Sequence, residues 1–214
     1  MRSLLAAIAL LAALLGLAPA LDLAASSLFH DGAGFPLSDN DAAEALRQGL
    51  WWAAIGAFLG SVALWAVSLV RPVLMPAGEW GWGALAFLLG PGLLVNGLLK
   101  EHWGRARPRD VAAFGGEDAF TPWWQPADQC ASNCSFVSGE ASAGAALALV
   151  LWVWLSPRVP RAPLLAALLL LVAASGGMRL AKGAHFASDV LMAWLLTALV
   201  GLALRRLLGL DRRS

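Results

Sequence analysis

Apolar residues are gathered into six long runs, and the segments between them hold most of the charged residues. The runs cover residues 4–21, 49–70, 82–99, 136–155, 163–178 and 190–207. A helix needs about 20 apolar residues to cross the hydrocarbon core, and all six runs approach that length, although the fifth is short. The pattern predicts an all-α integral membrane bundle of six transmembrane helices, in a single domain that covers residues 1–214.

Composition supports the same class. The chain has 214 residues, of which 59% are hydrophobic and 14% are charged, whereas about a quarter of the residues of a soluble domain are charged. The net charge of +1 gives no reason to expect a nucleic-acid partner. Ala, Gly and Leu dominate the runs, and small residues let membrane helices approach closely. We therefore expect a tight bundle in the bilayer, with no obligate protein partner.

The first run has a second interpretation. Met1, Arg2, an apolar core and "APA" at 18–20 resemble a secretory signal peptide with a small-residue cleavage site. The apolar core is rather long for a signal peptide, and an even number of spans suits the charge pattern. We favour a retained first span and keep the cleaved form as the alternative.

Basic residues predict the orientation. With the amino terminus inside, the inner segments hold Arg2, Arg71, Arg158, Arg161, Arg205, Arg206, Arg212 and Arg213. The outer segments hold Arg47, Lys100, Arg105, Arg107, Arg109, Arg179 and Lys182. Three of these, Lys100, Arg107 and Arg179, are assigned below to the active site, which leaves eight against four. The positive-inside rule then predicts both termini in the cytoplasm.

Three segments place charge at the borders of the runs: "KEHWGRARP" (100–108), "SFVSGEAS" (135–142) and "RLAKGAHFASD" (179–189). In the predicted orientation all three lie at the outer border. Lys100 and Arg107 are seven residues apart, so they share a helix face if the third span continues outward. His185 and Asp189 are spaced i to i+4, so on one helix the carboxylate would reach the imidazole.

Together these residues have the chemistry of a phosphate site. Lys100, Arg107 and Arg179 supply cationic donors, and arginine matches phosphate oxygens bidentately. Ser138 and Gly139 open the fourth span and offer donors at a positive helix end. Taken alone, the cations also suit a basic loop near lipid headgroups, and Ser138 with Gly139 suits a plain helix start.

The third segment supplies a candidate nucleophile. His185 would attack phosphorus, and Asp189 would orient it and raise its basicity; alone, the two residues also suit a structural pair. The carboxylates needed to hold magnesium are not clustered in the sequence. We therefore expect neither a metal nor another cofactor.

The three segments resemble the tripartite signature of the type 2 phosphatidic acid phosphatase superfamily. The matching residues are Lys100, Arg107 and Pro108, then Ser138 and Gly139, then Arg179, His185 and Asp189. The resemblance implies six membrane helices, an active site at the outer (periplasmic) membrane border of a bacterial inner membrane, and metal-independent phosphate-ester hydrolysis. It also implies a phosphohistidine intermediate on His185 and a relationship to acid phosphatases and vanadium-dependent haloperoxidases.

Three residues depart from the signature. Met178 and Val137 replace a serine and a proline, neither of which is central to the chemistry. Glu140 replaces the histidine that protonates the leaving oxygen in this family. We hypothesise that Glu140 takes up a proton as the phosphate arrives, acts as general acid, and then activates water as a base. The alternatives are a diphosphate substrate that needs no acid, and a pocket kept for binding alone.

The string "SFVSGE" resembles bacterial lipid A phosphatases, which makes lipid A the leading substrate. Polyprenyl diphosphates, phosphatidic acid and phosphatidylglycerophosphate are the alternatives. A contrasting class is a non-catalytic anion-binding protein or transporter. A permeation path needs polar groups near mid-span, whereas the ionisable groups here gather at one border. The sequence therefore favours a lipid phosphohydrolase.

Four other residues lie near these segments. Cys130 and Cys134 are four residues apart in an outer loop, where they either form a disulfide in an oxidising compartment or remain free thiols. His102 is expected at the membrane interface. Arg105 is a candidate for lining the entrance to the site.

Overall fold

The structure, a computed structural model, describes residues 2–71 and 74–210. Its α-helices are α1 (Arg2–Leu17), α2 (Ala20–Ser27), α3 (Asp41–Ser68), α4 (Ala77–Phe87), α5 (Lys100–His102), α6 (Gly139–Leu155), α7 (Arg161–Ala181) and α8 (Ala187–Leu207). A π-helical stretch, Leu88–Leu99, joins α4 to α5, and short 3-10 turns occupy Pro108–Asp110 and Ala112–Phe114. The all-α class is confirmed. Arg212 and Arg213, which contribute to the predicted orientation, lie outside the described residues.

Among the described residues, four or five of the six predicted spans are recognised by length and apolar composition. Four described helices are long and apolar enough to cross a membrane: α3, Ala77–His102, α7 and α8. A fifth is added if α1 and α2 count as one bent span. The remaining apolar helix, α6, has 17 residues and is shorter than the others.

The first predicted span, residues 4–21, is not one straight helix. The chain turns by 104° between α1 and α2, next to Pro19, which has no N–H to continue the helical hydrogen bonds. Two tryptophans of the later loop hold α1, since Trp123 donates to the Ala12 carbonyl at 3.0 Å and Trp124 to the Gly16 carbonyl at 3.2 Å. The bend directs α2 towards the loops instead of along the bundle.

The third predicted span changes its helical pitch at its centre. Pro91 lies inside the π-helical stretch. Because proline has no N–H, a backbone carbonyl in the preceding turn lacks its usual donor. The Asn96 side chain donates to the Pro91 carbonyl at 2.7 Å. This wider turn brings Asn96 against the start of α6, where a methyl group on Gly139 would overlap the Asn96 amide.

Small residues set the distances between helices. A methyl group at Gly144 of α6 would overlap the Ser175 hydroxyl of α7, and one at Gly176 would overlap the Val190 side chain of α8. The expectation of closely approaching helices is confirmed at these positions. The buried core beneath the site includes Val95, Phe136, Val137, Ala141, Val190 and Ala193.

Several helix ends meet at one end of the bundle. They are the starts of α3, α6 and α8 and the ends of α5 and α7, and the three motif segments lie there with them. The opposite end holds an ion pair in which Arg205 of α8 donates to Glu79 of α4 at 2.7 Å. The three motif segments therefore lie together at a single end of the bundle.

Candidate active site

The first motif leaves the helix sooner than its spacing predicts. The helix ends at His102, and Gly104 turns the chain at φ +69°. Arg107 is extended, with φ −86° and ψ 158°, so the helix does not continue outward and Lys100 and Arg107 do not share a helix face. A side chain at 104 would strain this left-handed backbone and would overlap the Ala127 carbonyl.

Backbone hydrogen bonds fasten the first motif to the segment before α6. The Lys100 carbonyl accepts from the Cys134 N–H at 2.9 Å, and the Arg105 carbonyl accepts from the Ser135 N–H at 2.9 Å. Arg107 donates from its guanidinium to the Asn133 carbonyl at 2.6 Å. These bonds place the basic segment beside the residues that lead into α6.

The third motif folds back on itself. The Arg179 carbonyl, in the last turn of α7, accepts from the N–H groups of Ala184 at 3.0 Å and His185 at 3.3 Å. Gly183 makes the turn with φ +59°, and its carbonyl accepts from the Arg109 N–H at 3.1 Å. The first and third motifs are thereby joined.

His185 lies at the centre of the cluster with 1% of its surface exposed. Its Nδ1 lies 2.7 Å from the Ser135 carbonyl oxygen. A carbonyl can only accept, so Nδ1 carries the proton and the lone pair is on Nε2. Burial, with the nearby charges of Arg179, Lys100 and Arg107, holds the pKa of His185 well below its usual range. The imidazole is therefore neutral at neutral pH, as a nucleophile must be.

Asp189 does not orient His185 in the predicted way. His185 precedes α8, so the two residues do not share a helix, and Nδ1 lies 3.9 Å from the Asp189 carboxylate. Asp189 instead accepts from the Phe186 N–H at 2.9 Å and from the Ser135 hydroxyl at 2.5 Å. Ser135 thus links the two, because its hydroxyl binds Asp189 while its carbonyl binds His185.

Arg105 is fully buried behind the site and does not line an entrance. Its guanidinium donates to Asp189 at 2.5 Å, to the Ser188 hydroxyl at 2.9 Å and to Asp22 at 2.8 Å. Its Nε donates to the Thr121 carbonyl at 2.9 Å. One guanidinium therefore joins α2, α8 and the long loop, and it holds Asp189 in place.

Ser138 and Gly139 form the start of α6. Ser138 is buried and caps the helix, with its hydroxyl accepting from the Ala141 N–H at 3.4 Å. Its own N–H donates to the Asp189 carbonyl at 3.4 Å. The close approach of Asn96 explains why position 139 has no side chain. Their phosphate-binding role stays a prediction.

Glu140 is held by two arginines. Arg47 of α3 donates to it at 2.7 Å, and Arg179 lies 3.4 Å from the same carboxylate oxygen. Beside this pair, Glu44 accepts from Arg47 and from Lys182, the latter at 3.0 Å. The first turns of α3 thus bring two charged residues to the motif cluster.

Sequence reasoning missed Arg47, Glu44 and Lys182 as neighbours of the site. Arg47 lies 93 positions from Glu140, so no local spacing connects them. One feature of the sequence could have indicated them: all three residues lie in segments predicted at the same membrane border as the motifs.

The remaining candidate residues lie at the edge of the motif cluster. Cys130 and Cys134 are joined by a disulfide, with their Cα atoms 5.6 Å apart. His102 is exposed, with Nδ1 2.8 Å from the Leu98 carbonyl. Within residues 2–71 and 74–210, no three His, Cys, Asp or Glu side chains are grouped in a way that suits a metal ion.

Three known proteins are each similar to about half of the chain or slightly more. The lipid A 4'-phosphatase of Rhizobium etli is 50% identical over 125 residues, which are 58% of this chain and 47% of that protein. The lipid A 4'-phosphatase of Rhizobium leguminosarum is 51% identical over 118 residues, 55% of this chain and 49% of that protein. The lipid A 4'-phosphatase of Francisella tularensis subsp. novicida is 42% identical over 114 residues, 50% of this chain and 48% of that protein.

The chain spans about half the length of these curated relatives. No solved structure matches it significantly. The family model of the PAP2 superfamily matches residues 81–213, more than half of the chain, and this region contains all three motif segments. The chain therefore belongs to the PAP2 superfamily, the family of type 2 phosphatidic acid phosphatases that its motifs resemble.

Proposed function

We propose that this chain hydrolyses a phosphate ester on a membrane lipid through a phosphohistidine intermediate on His185. One observation carries the proposal: a buried neutral imidazole, with its lone pair on Nε2, lies among the charges of Lys100, Arg107 and Arg179. Preorganised cations stabilise the charge that develops on a transferring phosphoryl group.

In the first step, Nε2 of His185 attacks phosphorus and forms an N–P bond while the bond to the lipid oxygen breaks. Nδ1 keeps its proton throughout, and the Ser135 carbonyl stabilises the positive charge that the ring acquires. The leaving lipid oxygen takes one proton from Glu140. In the second step water attacks phosphorus, Glu140 recovers the proton, and inorganic phosphate and neutral His185 are released.

Glu140 lies in ion-pair contact with Arg47 and Arg179, so the proposal requires the carboxylate to gain a proton before it acts as an acid. A phosphate that binds Arg179 removes one of these partners and brings negative charge close to the carboxylate. Both changes favour the protonated form. Substrate binding would therefore load the general acid.

We propose lipid A as the substrate, with the 4'-phosphate as the group removed. The support is the identity to three proteins named lipid A 4'-phosphatase, together with the motif "SFVSGE". Polyprenyl diphosphates are the second candidate, because a diphosphate has a leaving group that departs without a proton. Glu140, paired with Arg47 at 2.7 Å, would then balance charge.

We further propose one phosphatase domain with six membrane crossings, counting α1 with α2 as one and α6 as another. Both termini would lie in the cytoplasm of a bacterium and the site at the periplasmic border of the inner membrane. The grouping of the motifs at one end of the bundle supports this arrangement, as does the excess of basic residues in the inner segments.

A substrate panel tests the function. Purified protein in detergent with a chelator is expected to release inorganic phosphate without added metal, fastest from lipid A and from its 4' position. The comparison substrates are a polyprenyl diphosphate, phosphatidic acid and phosphatidylglycerophosphate. Absence of phosphate release from every member would contradict the proposal and favour a non-catalytic anion-binding protein.

Variants at Glu140 test its role. Glu140→Gln is expected to slow a lipid monoester about a hundred- to ten-thousand-fold, the usual contribution of general acid–base catalysis, and to slow a diphosphate far less. Glu140→His should restore part of the monoester rate. The matched control is Glu101→Gln, an exposed glutamate beside Lys100, which should leave both rates unchanged.

Full monoester turnover in Glu140→Gln would rule out the acid role. The double variant Arg47→Gln with Glu140→Gln distinguishes charge balance from catalysis. If Glu140 only balanced Arg47, removing both charges would recover the monoester rate.

A further inference from the structure

Residues 133–135 form a short segment, shortly before α6, that contacts the first and third motifs. Its first carbonyl, that of Asn133, accepts from the Arg107 guanidinium at 2.6 Å. Its last carbonyl, that of Ser135, accepts from Nδ1 of His185 at 2.7 Å. The position of the 133–135 segment therefore affects both a proposed phosphate-binding cation and the proposed nucleophile.

The two sides of Asn133 differ in burial. On the carboxyl side Cys134 is fully buried, whereas on the amino side Ala131 and Ser132 are exposed. The disulfide closes residues 130–134 into a small ring. It thereby ties the exposed side of the loop back to the buried Cys134.

Inside this ring Asn133 has a left-handed backbone, with φ +52°. Residues other than glycine seldom adopt this conformation, although asparagine tolerates it better than most. In this conformation the Asn133 carbonyl accepts from Arg107. An open ring would let Asn133 leave the left-handed region, and Arg107 would then lose the acceptor that holds it.

We propose that the Cys130–Cys134 bond is a redox-sensitive positioning element, which holds the Asn133 carbonyl against Arg107 so that full phosphate-ester hydrolysis requires the oxidised protein. The inference rests on the proposed function. Oxidising compartments such as the bacterial periplasm keep disulfides closed. The proposed periplasmic site is therefore the setting in which this positioning is complete.

A dithiol reductant opens the ring by thiol–disulfide exchange. Cys130 is half-buried and Cys134 fully buried, so the reductant's thiolate attacks the Cys130 sulfur, and the Cys134 thiolate leaves and takes up a proton. The second thiol of the reductant then displaces the Cys130 thiolate, which is also protonated. Two electrons and two protons pass to the protein, and the reductant becomes a cyclic disulfide.

Reduction of the purified protein tests the inference. Dithiothreitol is expected to lower kcat/KM for a lipid phosphate about ten- to a hundredfold, because misplacement of a binding group has effects of this size, and reoxidation should restore the rate. Cys130→Ser should show the lowered rate without reductant and no further response to it. The matched control is Ser132→Ala, an exposed residue of the same ring, which should keep both the wild-type rate and the response.

Arg107→Ala distinguishes positioning from a general loss of stability. If the bond acts through Arg107, the two changes are not additive, and dithiothreitol should alter the residual rate of Arg107→Ala by less than about twofold. An equal loss in Arg107→Ala and in the wild type would overturn the inference. So would a wild-type rate that reduction leaves unchanged.

Amide hydrogen exchange provides a measurement that needs no turnover. The Cys134 N–H donates to the Lys100 carbonyl at 2.9 Å, and its exchange should become faster after reduction. The Ala184 N–H, which donates to the Arg179 carbonyl at 3.0 Å, should exchange at the same rate in both forms. Unchanged exchange at Cys134 would also overturn the inference.

The two measurements separate this inference from the proposed function. A protein that releases no phosphate, but whose Cys134 amide exchanges faster after reduction, would contradict the proposed hydrolysis while supporting the role of the ring. An active protein whose rate and amide exchange both ignore dithiothreitol would do the reverse.

Discussion

The His185→Ala variant is expected to lose phosphate release by at least about a thousandfold, since losses on that scale follow removal of a nucleophile that forms a covalent intermediate. Without the imidazole, the cations at Lys100, Arg107 and Arg179 can still bind phosphate, but no group remains to accept the phosphoryl group. The measurement is phosphate release from the lipid at saturating concentration, together with binding of the same lipid. Binding should persist.

The matched control is His102→Ala. His102 lies in the same region but is exposed, so its removal should leave turnover within about twofold, in line with the small effects of surface substitutions. Acid-labile, base-stable labelling by a radioactive lipid phosphate should appear in the wild type and be absent in His185→Ala. A His185→Ala protein with normal turnover would overturn the assignment of the nucleophile.

The second large effect is expected for Arg105→Ala, as a loss of stability. Arg105 is fully buried and donates to the carboxylates of Asp22 and Asp189, which have 1% and 0% of their surface exposed. Its removal leaves two buried carboxylates without their cation. Removing one partner of a buried ion pair costs about 3–5 kcal/mol. The free energy of unfolding in mixed detergent micelles should fall by about that amount.

Arg109→Ala is the control for this variant. Arg109 belongs to the same basic segment, but its side chain is 47% exposed and it lies 3.7 Å from Asp110. An exposed pair of this kind contributes about 0–1 kcal/mol, so the free energy of unfolding should barely change. Equal stability of Arg105→Ala and Arg109→Ala would contradict the structural role of the buried network.

Arg105 also shows where local spacing misleads. In the sequence it is one of four basic residues between 100 and 109, and nothing distinguishes a buried arginine from an exposed one there. Its partner Asp22 is 83 positions away and reaches it only because the chain bends between α1 and α2. Burial and long-range pairing are properties of the packed molecule, so the pattern could not separate Arg105 from Arg109.

The helix predictions succeeded where they depended on long apolar runs and failed at the ends. The second, third, fifth and sixth runs overlap the candidate spans, and the fourth overlaps the shorter helix α6, because burial in lipid requires continuous apolar helices. The helical continuation on which a shared face of Lys100 and Arg107 depended does not occur, because Gly104 turns the chain at φ +69°. The expected His185–Asp189 helix face is wrong because α8 begins after His185.

The sequence by itself determined the all-α class, the membrane character and the residue types of the proposed phosphate site. These follow from hydrophobic runs and from motif spacings, which are local properties. Only the tertiary structure decided that Ser135 holds His185, that Arg105 holds Asp189 and that Arg47 pairs with Glu140. A backbone carbonyl has the same chemistry in every residue, and a distant ion pair depends on how helices pack, so neither leaves a signature in the order of amino acids.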